Sequence, residues 1–337
     1  MKALRHSRFG PPSEVLELVD ETLPALRDRQ AAVRTEAAPI HFGDLKNIAG
    51  EKIMVRNPVS GGELKTELPQ VPGIEAVGRI TGIGAKVTDF RLGDRVFLLR
   101  QNGSWREEAH ADVATLFPAP EGDPVQLSLI VNAYSADLAL RDLHPLSPGD
   151  WFLQNAANSN VGRVLIALAR LRGIRTVNIV RRAALVEELK ALGADVVLVD
   201  GPDLPARVRE ATRGAALKIG LDGIAGAATG RLAECLSDGG TVANMGLMSA
   251  EPCSIPSWIL LYRRVTVRGY FAGFHLDART MPERRKILWD LGELIRDGVI
   301  SCPIAATYPL SDFRKAVTHA AKSGSDREGK IVFTMDA

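Results

Sequence analysis

Between residues 125 and 260 the apolar positions alternate between two spacings. Short continuous runs, "WFLQNA" (151–156), "TVNIV" (176–180) and "DVVLVD" (195–200), are separated by "VGRVLIALARLRG" (161–173) and "LVEELKALG" (185–193), where apolar residues recur every three or four places. The runs predict buried strands and the longer stretches predict helices. Their alternation predicts βαβ units and a parallel sheet. "KIGLDGIAG" (218–226) and "GGTVANMGLMS" (239–249) continue as a fourth and fifth strand with small residues at their carboxyl ends.

On either side the pattern differs. Residues 1 to about 120 carry short alternating runs broken by Gly and Pro. In "EAVGRITGIGAKVTDFRLGDRVFLL" (75–99), strand-like stretches at 76–83 and 95–99 flank turn signals at Gly82, Gly84 and Gly93-Asp94. This predicts a small twisted β-barrel or sandwich. From residue 265 or so come a strand ("RVTVRGYF"), a long amphipathic helix (281–298) and a last strand ("GKIVFTM", 329–335), expected to fold back onto the first part. Residues 56–67, "RNPVSGGELKTE", read as an exposed loop.

Composition narrows the picture. A chain of 337 residues suggests two domains. With 46% apolar and 24% charged residues it is an ordinary globular protein. A net charge of +2 gives no reason to expect a nucleic-acid or acidic-membrane partner. The opening residues lack an apolar signal core, and no run reaches the ~18 apolar residues of a membrane span. Cys235, Cys253 and Cys302 are too scattered for a disulfide framework. The expectation is a cytoplasmic protein with reduced thiols.

The segment 154–162 is where chemistry first enters. A strand running into a turn that opens a helix offers free N–H groups and the positive end of the helix dipole to a pyrophosphate. Glycines normally make that turn possible. Here Ala156 and Ala157 are small, and Asn158 and Asn160 tolerate the left-handed region. Gly162 lets the helix approach the sheet. Asn158, Ser159, Asn160, Val161 and Gly162 are therefore cofactor-binding candidates. Locally the alternative is a plain strand–turn–helix capped by Ser159. The next strand ends at Arg181-Arg182, about 20 residues on, where a fold selecting NAD places a carboxylate. Guanidinium groups pair bidentately with a 2′-phosphate, which argues for NADP(H); the alternative is a solvated helical turn. Asp222, Gly223 and the turn of Asn244, Met245 and Gly246 fall at strand ends where parallel sheets bind ligands, so they are candidates to line the cofactor cleft.

Taken together, "VPGIEAVGRITGIGAKVTDFRLGDRV" (71–96) and "LSPGDWFLQNAANSNVGR" (146–163) resemble the medium-chain dehydrogenase/reductase superfamily. "QNAANSNVGR", "RTVNIVRR", "LRDLHPLSPGD" and "GSWREE" are most similar to its zinc-independent enoyl-thioester reductase and quinone reductase branch. The resemblance implies an α/β protein. Its parts would be a GroES-like β-rich catalytic domain (1–122 and 265–337) and a Rossmann NADP-binding domain with a doubly wound parallel sheet (123–264). It also implies a homodimer joined at Rossmann sheet edges. "WILLY" (258–262) is read either as such an edge or as core.

Zinc-dependent relatives carry a Cys three residues before an Asp that resembles Asp44, and a His before a Glu that resembles Glu75. This chain has His41 and Ile74 there, and lacks the cysteine-rich structural lobe. Two donors do not make a zinc site, so no metal is expected. Without a Lewis acid, simple alcohol oxidation is disfavoured. The remaining chemistry is hydride transfer from NADPH to an activated C=C bond of a small-molecule substrate, or to a quinone.

Similar enoyl reductases place a tyrosine where this chain has "IAGEKIMVRNP" (48–58), with Lys52 near that position. "VNAYSADLAL" (131–140) resembles a family segment near the nicotinamide, putting Asn132 and Ser135 on its Asn and Thr, with Tyr134 beside them. Lys52, Asn132, Tyr134 and Ser135 are the catalytic candidates; Tyr134 also reads as a helix aromatic. "RGYFAGF" (268–274) resembles the segment over the nicotinamide, so Tyr270 and Phe271 are cofactor candidates or core. Trp105 reads as structural. The competing reading is a non-catalytic NADPH-binding protein, like crystallin or regulatory relatives.

Overall fold

The computed structural model describes residues 1–51, 67–99, 103–322 and 328–335. Lys52 and most of the expected 56–67 loop lie outside them. The chain divides into two units.

The first unit comprises Met1–Ile130, Arg285–Gly298 and Cys302–Ala337. Among its described residues a two-stranded ribbon pairs β1 (Lys2–His6) with β2 (Leu16–Asp20). A larger sheet contains β3 (Gln30–Pro39), β4 (Glu75–Ile83), β5 (Arg95–Leu99), β6 (Glu108–Asp112) and β7 (Leu116–Pro118). Its order is completed by two late strands, β14 (Ile304–Pro309) and β15 (Lys330–Thr334), giving β14-β15-β3-β4-β5-β7 with β6 also on β3. The C-terminal return is thus built into the sheet, through the antiparallel pairing of β15 with β3. All of β5 is buried: Val96–Leu99 is apolar, and Arg95 donates to Glu36 Oε2 at 2.7 Å. Trp105 is wholly buried, donates its indole N–H to the Pro39 carbonyl at 3.2 Å and meets Phe333 edge-on. Its role is packing.

The second unit comprises Val131–Arg284 and Val299–Ser301. Its parallel strands are β8 (Trp151–Gln154), β9 (Arg175–Val180), β10 (Val196–Val199), β11 (Leu217–Asp222), β12 (Thr241–Asn244) and β13 (Thr266–Gly269), in the order β10-β9-β8-β11-β12-β13. This is the doubly wound order, with its switch point between β8 and β11. The helix Asn160–Leu171 follows β8 and stops before Gly173, whose φ of 67° ends the turn. Strand β13, read from the sequence as part of the return, is hydrogen-bonded to β12 here, Asn244 opposite Gly269. The "WILLY" stretch forms the short helix Ser257–Leu261 and its C-cap, with only Ile259 buried within that helix.

Candidate functional site

Strand β8 ends at buried Gln154. Its amide donates to the Gly162 carbonyl at 3.0 Å and to Asn178 Oδ1 at 2.7 Å, and Asn178 in turn donates to Thr176 Oγ1. These polar side chains lie inside otherwise apolar strands and hold the helix start onto the sheet. They were not singled out in the sequence, although amides interrupting "WFLQNA" and "TVNIV" were a visible signal.

The turn bends at Ala156, with φ 48°; Asn158 and Asn160, expected to take the left-handed region, do not. Alanine pays about 1–2 kcal/mol there. Bonds from Ala157 N–H to Ile179 and from Ser159 N–H to Ala156 itself enforce the bend. Ser159 caps the helix, its Oγ accepting from Gly162 N–H at 3.1 Å. Asn160 and Val161 are its first two residues, so their N–H groups have no partner within the helix. A Cβ on Gly162 would stand 2.6 Å from the Ala157 carbonyl, so only glycine allows this approach. Asn158, Ser159, Asn160 and Val161 are half-exposed around this N-terminus. The arrangement suits a dinucleotide phosphate. Arg181 and Arg182 follow the last residue of β9, the first exposed and the second half-buried.

Three neighbouring strand ends meet at Asp222. Its Oδ1 accepts from Asn155 Nδ2 (2.6 Å), Ile224 N–H (3.0 Å) and Ala225 N–H (3.1 Å); its Oδ2 accepts from Thr229 Oγ1 (2.6 Å) and Asn244 Nδ2 (3.2 Å). Asn155 Oδ1 accepts from Gly223 N–H at 2.7 Å, and Asn244 Nδ2 also donates to the Gly246 carbonyl at 2.9 Å. Asp222 is wholly buried, while Met245 and Gly246 are half-buried at the rim. A Cβ on Gly246 would meet the Gly223 carbonyl at 2.3 Å, so the two turns touch backbone to backbone.

Asn132, Tyr134 and Ser135 lie on the helix Ile130–Asp142, each less than a tenth exposed. Ser135 Oγ donates to the Val131 carbonyl at 2.6 Å, within its own helix. The Tyr270 hydroxyl donates to the Ser135 carbonyl at 2.6 Å, and burial, then nearby Asp142, raises its pKa well above the ordinary phenol value. Tyr270 is 4% exposed, whereas Phe271 is half-exposed against Phe274.

In the first unit His41 caps the helix Phe42–Ala49, its N–H bonded to Asp44 Oδ2 at 2.8 Å. Its ring bridges two charged side chains. Lys330 Nζ lies 2.9 Å from Nδ1, and Glu75 Oε1 contacts Nε2. An ammonium only donates, so Nδ1 accepts and Nε2–H donates to the Glu75 carboxylate. Burial, then the Lys330 ammonium, holds the imidazole well below its ordinary pKa. Burial pushes Asp44 up to about 7, against the His41 N–H and Lys330, which pull it down. Both ring nitrogens are engaged, Ile74 offers no donor, and an ammonium beside the ring repels a dication. This donor set does not fit zinc. Among the described residues no three His, Cys, Asp or Glu side chains come together as a metal site.

Comparison with known proteins agrees with this architecture. Residues 27–121 match the family described as alcohol dehydrogenase GroES-like domain, and residues 160–286 the one described as zinc-binding dehydrogenase. The mitochondrial enoyl-[acyl-carrier-protein] reductase of Dictyostelium discoideum is 30% identical over 344 residues, covering 99% of this chain and 95% of that protein. The structure of a Bacillus thuringiensis protein assigned as an NADPH:quinone reductase superposes with a TM-score of 0.87 at 26% identity, covering 99% of this chain and 98% of the other. Mycobacterial Rv1454c, complexed with NADPH, gives 0.82 at 25% identity, covering 99% of this chain and 100% of the other. A GroES-like β-rich unit and a Rossmann unit in this order define an oxidoreductase of the medium-chain type. The chain belongs to the medium-chain dehydrogenase/reductase superfamily, in its enoyl reductase and quinone reductase branch.

Proposed function

We propose that this protein is an NADPH-dependent reductase that transfers hydride to an activated C=C bond, in a 2-enoyl thioester or small enone or acrylate, or to a quinone, without zinc. The observation that carries this reading is the arginine pair at the end of β9, in the same unit as an uncovered helix N-terminus. Asn158, Ser159, Asn160, Val161 and Gly162 would hold the pyrophosphate, and Arg181 and Arg182 the 2′-phosphate. Bound there, the cofactor supplies the hydride. The names of the relatives support both acceptor classes, and the NADPH complex of mycobacterial Rv1454c supports the cofactor. Lys52, Asn132, Tyr134 and Ser135 remain the proposed catalytic set, with Ser135 contacting nicotinamide or substrate. Met245, Gly246, Tyr270 and Phe271 would shape the cofactor's surroundings, the first two at the rim and Phe271 through its exposed ring.

The test is loss of reduced-nicotinamide absorbance with crotonyl thioesters, small enones, acrylates and quinones, using NADPH and NADH separately, on metal-stripped protein. Turnover with NADPH and little with NADH is the expected result. Turnover that needs added zinc would overturn it. Tight NADPH binding with no turnover on any acceptor would favour the non-catalytic reading. The engagement of Ser135 and Tyr270 with backbone carbonyls is what keeps that reading in view.

A homodimer fits the second unit. Strand β13 ends the sheet with all four residues exposed, and Trp258, Leu261 and Tyr262 are exposed before it. A second copy pairing along β13 would satisfy this edge. Light scattering should give twice the chain mass for the native protein and the monomer mass for Val267→Lys; a monomeric native protein would refute it. A cytoplasmic location is the proposal, among relatives named as mitochondrial; the absence of disulfides among the described cysteines fits any reducing compartment, and cell fractionation decides it. Among the described residues no helix is long and apolar enough to cross a membrane.

A further inference from the structure

We infer that Asp222 is a positioning residue: it binds no part of the cofactor, and instead locks the turn after β8 to the turn after β12. This rests on the NADPH reading above. A carboxylate has acceptor sites only, and both oxygens of Asp222 are filled by donors from protein. None is left to receive a ribose hydroxyl well, and a pyrophosphate would be repelled. What the carboxylate does instead is set by where its donors come from. Asn155 stands one residue before the Ala156 bend, and its amide is held at both ends, by Asp222 Oδ1 and by Gly223 N–H. Asn244 is held between Asp222 Oδ2 and the Gly246 carbonyl. Asp222 therefore sits at the centre of a clasp running from Asn155 to Gly246, across three adjacent parallel strands.

The clasp has a polarity that a substitution can read. In Asp222→Asn the oxygen must stay toward the two backbone N–H groups of Ile224 and Ala225, because these cannot turn. The new amide then faces Thr229 and Asn244. Thr229 can accept, its hydroxyl being free to rotate. The Asn244 amide must flip, which breaks its bond to Gly246. The variant releases the turn of residues 244–246 and leaves the end of β9 alone.

Two probes separate positioning from folding: NADPH, which spans the whole rim, and adenosine 2′,5′-bisphosphate, which reaches only the Arg181–Arg182 end. Both are measured by calorimetry on the full chain. For Asp222→Asn we expect the NADPH dissociation constant to rise about tenfold or more, as for one charge-assisted bond's worth of positioning. The bisphosphate should bind within about twofold of the native protein, by the same arithmetic. Asn244→Ala, which cuts the clasp at its other end and retains the buried carboxylate, should show the same selective loss and serves if Asp222→Asn does not fold. Unchanged NADPH binding in both variants overturns the inference, as does equal weakening of both probes, which marks a structural role only. A native protein that ignores NADPH overturns the cofactor reading itself, a different outcome from either.

Discussion

Reversing both charges at the end of β9, as Arg181→Glu with Arg182→Glu, will raise the KM for NADPH about 100-fold while leaving NADH use nearly unchanged. On the proposed reading, each guanidinium–phosphate bond would be charge-assisted and contribute on the order of 1.5–3 kcal/mol. Losing two, and adding repulsion of a dianion, removes about 3 kcal/mol or more, and each 1.4 kcal/mol is tenfold. Both residues sit beyond the strand, one exposed and one half-buried, and a melting curve of the variant checks that the fold is kept. Steady-state kinetics with the two cofactors, repeated at rising salt, checks it. Because partly exposed charges are screened, native NADPH affinity should fall with ionic strength and the variant's should not. Equal KM values for NADPH in the two proteins would remove the arginines from the cofactor site.

Lys330→Met is the substitution expected to cost the most stability. It deletes the ammonium that lies against the ring of His41 and leaves Glu75 and Asp44 buried with less nearby positive charge. Lys330 is half-buried and donates to a neutral ring, so what is lost is one hydrogen bond from a charged donor, about 1.5–3 kcal/mol. At ~2–4 °C per kcal/mol, the melting temperature should fall by roughly 3–12 °C. The double variant with Glu75→Gln should recover part of this, because it removes buried negative charge that the ammonium no longer offsets. The variant also changes the pH dependence. Asp44 titrates near 7 in the folded protein and near 3.8 without it, so the native state holds the extra proton between those values. Its contribution is complete below about pH 4 and is lost as pH rises through 7. Lys330 pulls that pKa down, so its removal moves the loss to higher pH. Melting curves from pH 5 to 9 on both proteins read the displacement. Identical profiles would mean that Lys330 does not act on Asp44.

How far the sequence carries can be judged from particular residues. Strands β8 to β12 were legible because each is a short apolar run between a helix and a turn, a pattern set by local burial. β4 and β5 were legible as strand-like runs flanking the turn signals at Gly82, Gly84 and Gly93-Asp94. β13 was not: "TVRG" is equally plausible in either unit, and only its pairing with β12 decides. Ala156 was hidden because alanine seldom takes a left-handed φ, and the bonds that force it come from Ile179 and Ser159. His41 was visible as a departure from a zinc pattern, but its partner Lys330 is 289 residues away and no local signal joins them. Asp222 was picked out by its place at a strand end. What it contacts depended on two asparagines on neighbouring strands, and the sequence does not say which way an amide turns.

The anchoring of Tyr270 has a mechanical consequence. Its hydroxyl holds the helix Ile130–Asp142 at Ser135, and His275 and Arg279 hold the same helix at Asp142. The two attachments lie about 10 Å apart along the helix axis. A rod pinned at two points can neither roll nor slide against its mount. Residues 270–279 and the helix bearing Asn132, Tyr134 and Ser135 are therefore one lever, so force applied at exposed Phe271 arrives at all three.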